Sequence, residues 1–330
     1  MRLAPSVGLT SAALLVALLP AAGAGPSPAS TATPARHGTG AAGRPPLAPR
    51  ADERCDTRTA PGGPCVRYGP AAPLGRGQVR VFTEYAGGRP RTLGVLLTGA
   101  ALTGLPTAPT DGEHCFDADG DGSAHPSHEC VGGHGSELAL PATGPSEPRL
   151  PFRWALFNWN PEGHSPHGRY DVPHFDVHFY LVPPEARARI RLGACALLID
   201  CGQLPTAAAP VPAPHLPRGY PASSPQTAEG AMGGHLDSRP PTSGALSTHT
   251  FIYGAYAGEI IFMEPMLTKT FLERQRTTPG HRTCAPVPQP QAWRTEGWYP
   301  TRYCTAYRPD RDDYTVTLTG FVHRPAGGPR

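Results

Sequence analysis

The sequence predicts a mainly β domain, antiparallel and β-barrel or β-sandwich-like, with one or two short helices and disulfide-stapled loops. Three observations predict it. Several short segments alternate apolar and polar residues with period two, the pattern of half-buried strands. Two residue pairs, Gly87-Gly88 and Ala257-Gly258, separate such segments where tight hairpins need positive φ. Eight cysteines, an even number, suit a framework of cross-linked loops.

The chain opens with one charge, Arg2, then an apolar run from Val7 to Leu19 and the small-x-small pattern Ala22-Gly23-Ala24. Residues 1–24 therefore read as a secretory signal cleaved after Ala24. The apolar run is shorter than the roughly 20 residues a spanning helix needs, and no later run reaches that length. A secreted, soluble mature protein is expected. Residues 25–75 are rich in Pro, Ala, Gly, Ser and Thr without an apolar period, which predicts a flexible linker interrupted by a Cys55–Cys65 loop.

A single mainly β domain is expected over 76–326. Its first two strands flank Gly87-Gly88 in QVRVFTEYAGGRPRTLGVLLTG. Residues 111–135 form a polar loop closed by Cys115–Cys130. Strands follow at 151–159 and 173–182, then a short helix at 184–192 with Pro184 in its first turn. Residues 205–228 are another Pro/Ala/Ser-rich loop. A hairpin over 248–266 turns at Ala257-Gly258, and a helix Pro265–Arg274 comes next, again with proline at its first turn. A strand over 314–324 closes the domain, for about eight strands in all. Sequence proximity pairs the remaining cysteines as Cys195–Cys201 and Cys284–Cys304, although eight cysteines allow 105 connectivities.

Formal net charge is only +3 at pH 7, and no Lys/Arg block stands out. Nucleic acid and anionic membrane are not implied as partners. A small-molecule ligand and a second copy of the chain are the partner classes left. Enzyme signatures such as GxSxG, HExxH and the P-loop are absent, and no close CxxC pair suggests a zinc knuckle. Whether the protein is an enzyme is left open.

Function is sought first in PHFDVHFY (173–180). Four of the chain's 14 histidines, His164, His167, His174 and His178, fall within fifteen residues here. Strand alternation puts His174, Asp176, His178 and Tyr180 on one face and Phe175, Val177 and Phe179 on the other. Two imidazoles and a carboxylate on one face are ligand types for a transition metal, zinc foremost. The competing reading is a polar strand face whose histidines bond locally. His174 and His178 are about 13 Å apart on a flat strand, so one shared ion requires a bulge or strong curvature. Candidate partners are His235, beside Gly233 and Gly234, and Glu264, in the apolar run IIFMEP. Glu264 can equally be an acid at the start of the following helix. His164 and His249 are candidates for orienting the ligands from behind. A glycosidase pair formed by Asp176 and Glu264 is a further reading that nothing favours.

DADGDG (117–122) is a second constellation. Asp117, Asp119 and Asp121 with Gly122 match positions 1, 3, 5 and 6 of a calcium loop. Position 12 is His128, with Glu129 one residue late, so a solvated acidic turn competes with calcium.

The blocks PHFDVHFY, GGHLD and EPM, with GRPRTLGVLLTGAALTGLP, resemble an uncharacterised family of exported bacterial proteins. That family is a domain of unknown function sharing PHFDxHFY…GxHxxD…EPM. The resemblance runs from about Gly75 to Phe321, with Leu236 standing where the pattern has an aromatic and the 115–130 insertion peculiar to this chain. It implies that His174, Asp176, His178, His235 and Glu264 converge on one pocket, and it implies no reaction.

Overall fold

The computed structural model describes residues 65–327 apart from 145–146, 240–242 and 279–281. The signal segment, Cys55 and most of the expected linker lie outside the described residues. Every described residue belongs to one contact unit, Pro49–Arg330.

Two sheets carry the structure. One has six strands in the order β1 (Cys65–Leu74), β2 (Gly77–Ala86), β3 (Arg89–Thr98), β15 (Asp313–Thr319), β14 (Arg302–Arg308) and β12 (Arg282–Pro286). The other has seven in the order β4 (His134–Ala139), β5 (Trp154–Asn160), β6 (His174–Tyr180), β11 (Glu259–Thr268), β10 (His249–Tyr256), β9 (Gly233–Asp237) and β8 (Ala228–Glu229). Strands β13 (Gly297–Tyr299) and β16 (Val322–Arg324) pair separately, and β7 (Leu192–Cys195) lies in the connection after β6. The ladders between paired strands are antiparallel.

Alternation explains the core. Val79, Val81, Leu93, Val95, Leu97, Val316 and Leu318 from the first sheet share one apolar cluster with Phe157, Phe175, Val177, Phe179, Tyr253 and Met263 from the second. Facing sheets with a common interior make this a sandwich. Both predicted hairpin turns form, with positive φ at Gly87, Gly88, Ala257 and Gly258. Among the described residues no helix is long and apolar enough to cross a membrane.

Four expectations need correcting. Residues 65–74, expected within the linker, form the edge strand β1 (CVRYGPAAPL), where Pro70 and Pro73 are tolerated beside a bulge between Tyr68 and Ala71. The helix expected over 184–192 is only α1 (Pro184–Arg187). A second short helix, α2 (Leu204–Ala207), runs into the start of the loop expected over 205–228. The helix expected at Pro265 starts later, as α3 (Lys269–Arg276), capped by the Thr268 hydroxyl accepting from Phe271 N–H. Pro265 continues β11 instead. Its missing N–H falls where the pairing with β6 skips a step between Met263↔Phe179 and Met266↔Asp176.

Disulfides form at Cys115–Cys130, Cys195–Cys201 and Cys284–Cys304, as sequence proximity predicts. The Cys55–Cys65 pairing rests on a residue outside those described. Cys115–Cys130 closes a loop of sequence separation 15. Replacing both by serine should cost about 3 kcal/mol on the chain-entropy account. Thermal denaturation of the double variant checks this; unchanged stability would contradict it.

Candidate metal centre

The outer face of the seven-stranded sheet is not open to solvent. All seven residues of β6 are buried. On this face Trp154, Leu156, Tyr180 and Phe262 pack with Ile190, Ile199 and Met232 from the segment 183–232. Ile252 and Met266 pack with Tyr170 and Leu246. Two apolar patches thus flank a polar strip, and the chain's own loops cover it. The histidine face is therefore not a surface on which a second copy could dock.

Sheet register lines up the strip. Asn158 pairs with Asp176, and Asp176 with Met266. Leu156 pairs with His178. The register on either side of the skipped step sets His178 opposite Glu264, which pairs with Ile252 and through it with Asp237. One rung further run Trp154, Tyr180, Phe262, Gly254 and His235. Gly254 is the gap in that rung. A Cβ there would lie 2.0 Å from the Phe262 ring, so only glycine lets that ring lie across β10. The Phe262 ring then sits 4.9 Å from the His178 ring and 5.3 Å from the His235 ring. Gly233, at φ +114, turns β9 so that its backbone runs close to Ala255. Leu236 points to the opposite side, into the sandwich core.

The predicted single centre divides into two. His178, His235 and Glu264 form one group, and His174 and Asp176 form another with His164. Ligand atoms within each group lie within 4.8 Å of one another. No bulge draws His174 to His178: pairing of β6 with β5 runs unbroken from His174 to Tyr180. His164, expected behind the ligands, stands among them. His249 is placed elsewhere, bonding the Tyr303 hydroxyl at 2.7 Å and packing on Phe271.

In the first group His178 Nε2 lies 3.4 Å from Glu264 Oε2. Neither atom has hydrogen-bond geometry to any described partner, and His178 Nδ1 and His235 Nδ1 are likewise unpartnered. His235 Nδ1 is 3.7 Å from Glu229 Oε2, beyond bonding reach. Burial pushes the Glu264 carboxyl well above its ordinary range, and the charges of Asp176, Glu229 and Asp237 push it the same way. Burial pushes His178 down to about 3, so its imidazole is neutral with a lone pair free to ligate.

In the second group Asp176 holds Asn160 Nδ2 at 2.7 Å and His164 Nε2 at 3.2 Å on Oδ2. His174 Nε2 stands 3.2 Å from Oδ1 without hydrogen-bond geometry. Burial would raise the Asp176 pKa, but the charge of His174 and the hydrogen bond and charge of His164 hold it well below its ordinary value. Burial lowers His164, and the bond to and charge of Asp176 outweigh that, leaving it at about 9.

Sequence reasoning missed Asn158, Asn160, Glu229 and Asp237. The two asparagines alternate in WALFNWN on the histidine face, a period-two polar signal in an otherwise apolar strand. Asp237 accepts from the Tyr170 hydroxyl, the Arg169 guanidinium and the Arg239 N–H. It clamps the loop before β6 onto β9, which accounts for the aspartate of GGHLD without any role as a ligand.

The acidic loop is placed apart from this strip. Asp117 and Asp119 group with Glu129 and not with Asp121, which corrects the expected set Asp117, Asp119, Asp121. Its carboxylates are taken by backbone donors. Asp117 accepts from Gly120 and Gly122, Asp121 from Ser123, and Glu129 from Ala118, Asp119 and His125. These bonds fix the loop as a series of turns, and Asp117, Asp119 and Glu129 still offer ligand oxygens within 4.8 Å of one another.

Comparison of the chain with family models, with curated proteins and with solved structures finds no match.

Proposed function

We propose that this is a secreted metal-binding protein holding a divalent transition-metal ion, zinc foremost, between His178, His235 and Glu264. One observation carries the reading. Nine buried side-chain polar atoms lack a hydrogen-bond partner among the described residues, and six of them belong to Asn158, Asp176, His178, His235 and Glu264. Native proteins rarely leave a buried carboxylate or imidazole unsatisfied, because each such atom costs about 1–3 kcal/mol. A cation held by His178, His235 and Glu264 would take one ligand atom from each, including Glu264 Oε2 and one nitrogen of His178. The 3.4 Å between His178 Nε2 and Glu264 Oε2 matches the edge of a tetrahedron with zinc bonds of about 2.1 Å, roughly 3.4 Å.

Three protein ligands leave a fourth position, the arrangement of catalytic zinc sites. An ion there would lower the pKa of a bound water to about 7 and polarise a carbonyl or phosphoryl oxygen. The chain's own residues define the surroundings. Phe262, Trp154 and Tyr180 keep one side dry. Export fits the disulfides. The resemblance to exported proteins of unknown function supports the same compartment and adds no reaction.

Elemental analysis of the purified secreted protein is the test. Zinc should be present in stoichiometric amount, and its removal by chelation should lower Tm by about 5–10 °C. That shift follows from about 2.7 kcal/mol of binding stabilisation at a hundredfold excess over Kd, at about 2–4 °C per kcal/mol. A metal-free protein that takes up no zinc, copper, manganese or iron would contradict the proposal.

A further inference from the structure

A second constellation lies beside the first, on the same strand. His174 Nδ1 lies 2.6 Å from the Val172 carbonyl oxygen, and His164 Nδ1 lies 2.7 Å from the Ser165 carbonyl oxygen. A carbonyl can only accept, so in both rings Nδ1 carries a proton. With Nδ1 so engaged, Nε2 is the nitrogen each ring can offer to a metal, and in His164 an ion would displace the Nε2 proton that bonds Asp176. Both Nε2 atoms face the Asp176 carboxylate, each at 3.2 Å. One ligand atom from each of His164, His174 and Asp176 thus lies within 4.8 Å of the others, and Asn160 Nδ2 reaches His174 Nε2 at 3.4 Å. Asn160 holds Asp176 Oδ2 at 2.7 Å and turns the carboxylate toward the two rings. Asp176 Oδ1 is buried with no hydrogen-bond partner.

Histidines that ligate metals characteristically donate their other ring N–H to a backbone carbonyl or carboxylate, which fixes ring and tautomer. Here both do. We propose that His164, His174 and Asp176 bind a second divalent transition-metal ion, adjacent to the His178–His235–Glu264 centre. The 3.2 Å separations suit bonds of about 2.0–2.2 Å to a common ion. His164 is about a third exposed while His174 and Asp176 are buried, so this ion is the one solvent reaches. Its three protein ligands leave a position for water or a small anionic ligand on that side. The inference stands on its own atoms and does not depend on the first centre.

Zinc binding by the full secreted protein, counted by elemental analysis after titration and dialysis, tests it. Wild type should hold two ions per chain. His164→Ala, at a partly exposed loop position, should hold one and bind the second at least 100-fold more weakly. Asp176→Asn should give the same loss, so the result does not hang on one variant folding. His178→Ala should also hold one, the other ion. Cobalt substitution gives an independent readout: each variant should lose one of two sets of ligand-field absorption bands. If wild type binds a single ion that His164→Ala and Asp176→Asn leave unchanged, the second site is refuted and the first stands. If His178→Ala alone changes nothing while the other two each lose an ion, the first site fails and this one stands. Wild type that binds no ion refutes both.

Discussion

Glu264→Gln should abolish zinc retention at the first centre and at the same time stabilise the metal-free protein at neutral pH. The two effects have opposite signs because one carboxylate is both ligand and liability. Glu264 is almost fully buried and its Oε2 has no hydrogen-bond donor. Without a cation its ionisation is opposed by burial and by Asp176, Glu229 and Asp237. Its folded pKa is raised above the ordinary 4.5. The contribution of its protonated form is therefore complete below that pH and is lost as pH rises toward the folded value. Glutamine does not titrate, so the advantage of the variant over metal-free wild type should grow as pH increases above 4.5. By pH 8 it should reach about 1–3 kcal/mol, the cost of an unsatisfied buried polar group. With zinc present the order should reverse, with affinity reduced at least 100-fold, beyond the 10–100-fold typical of losing an outer partner. Paired denaturation curves across pH, with and without zinc, measure both signs. A variant less stable than metal-free wild type at every pH would count against the account.

Gly254→Ala should be the most damaging conservative change in the sheet. In most strands alanine for glycine is neutral or helpful, since glycine loses more freedom on folding. Here the added methyl would meet three Phe262 ring atoms at 2.0–2.3 Å. Phe262 is fully buried and lies against His178 and His235, so it cannot yield without displacing a ligand. Overpacking of this kind costs roughly 3 kcal/mol, or a Tm lower by about 6–12 °C. Zinc retention should fall with it. Adding Phe262→Leu should recover part of the stability lost, a non-additivity expected of side chains in contact. Additive losses in the double variant would place the damage elsewhere.

Some of this was legible from residues alone. Period-two alternation in PHFDVHFY sorted the β6 side chains correctly, because apolar and polar positions could exchange only if the whole strand slipped by one residue. Gly87-Gly88 and Ala257-Gly258 marked their hairpins because positive φ at both turn positions narrows the choice of residues. Pro265 misled because proline at a helix start is common, while its tolerance within β11 depends on which neighbour needs its N–H. That is a property of the sheet and not of the segment. The division into two centres was hidden for the same reason. His178 joins Glu264 and His235 through the register of three strands, and His164 joins His174 through a loop fold that carries no period. Strand β1 was hidden by composition, its prolines and alanines resembling those of the segment before it.

Anomalous diffraction at the zinc edge, from crystals of the full protein grown with zinc, tests the central claim most directly. The account predicts a peak between His178, His235 and Glu264, with bonds of about 2.0–2.2 Å to an imidazole nitrogen of each histidine and to a carboxylate oxygen of Glu264. A pocket without an anomalous scatterer, in which Glu264 instead takes a hydrogen-bond donor from the protein, would contradict it.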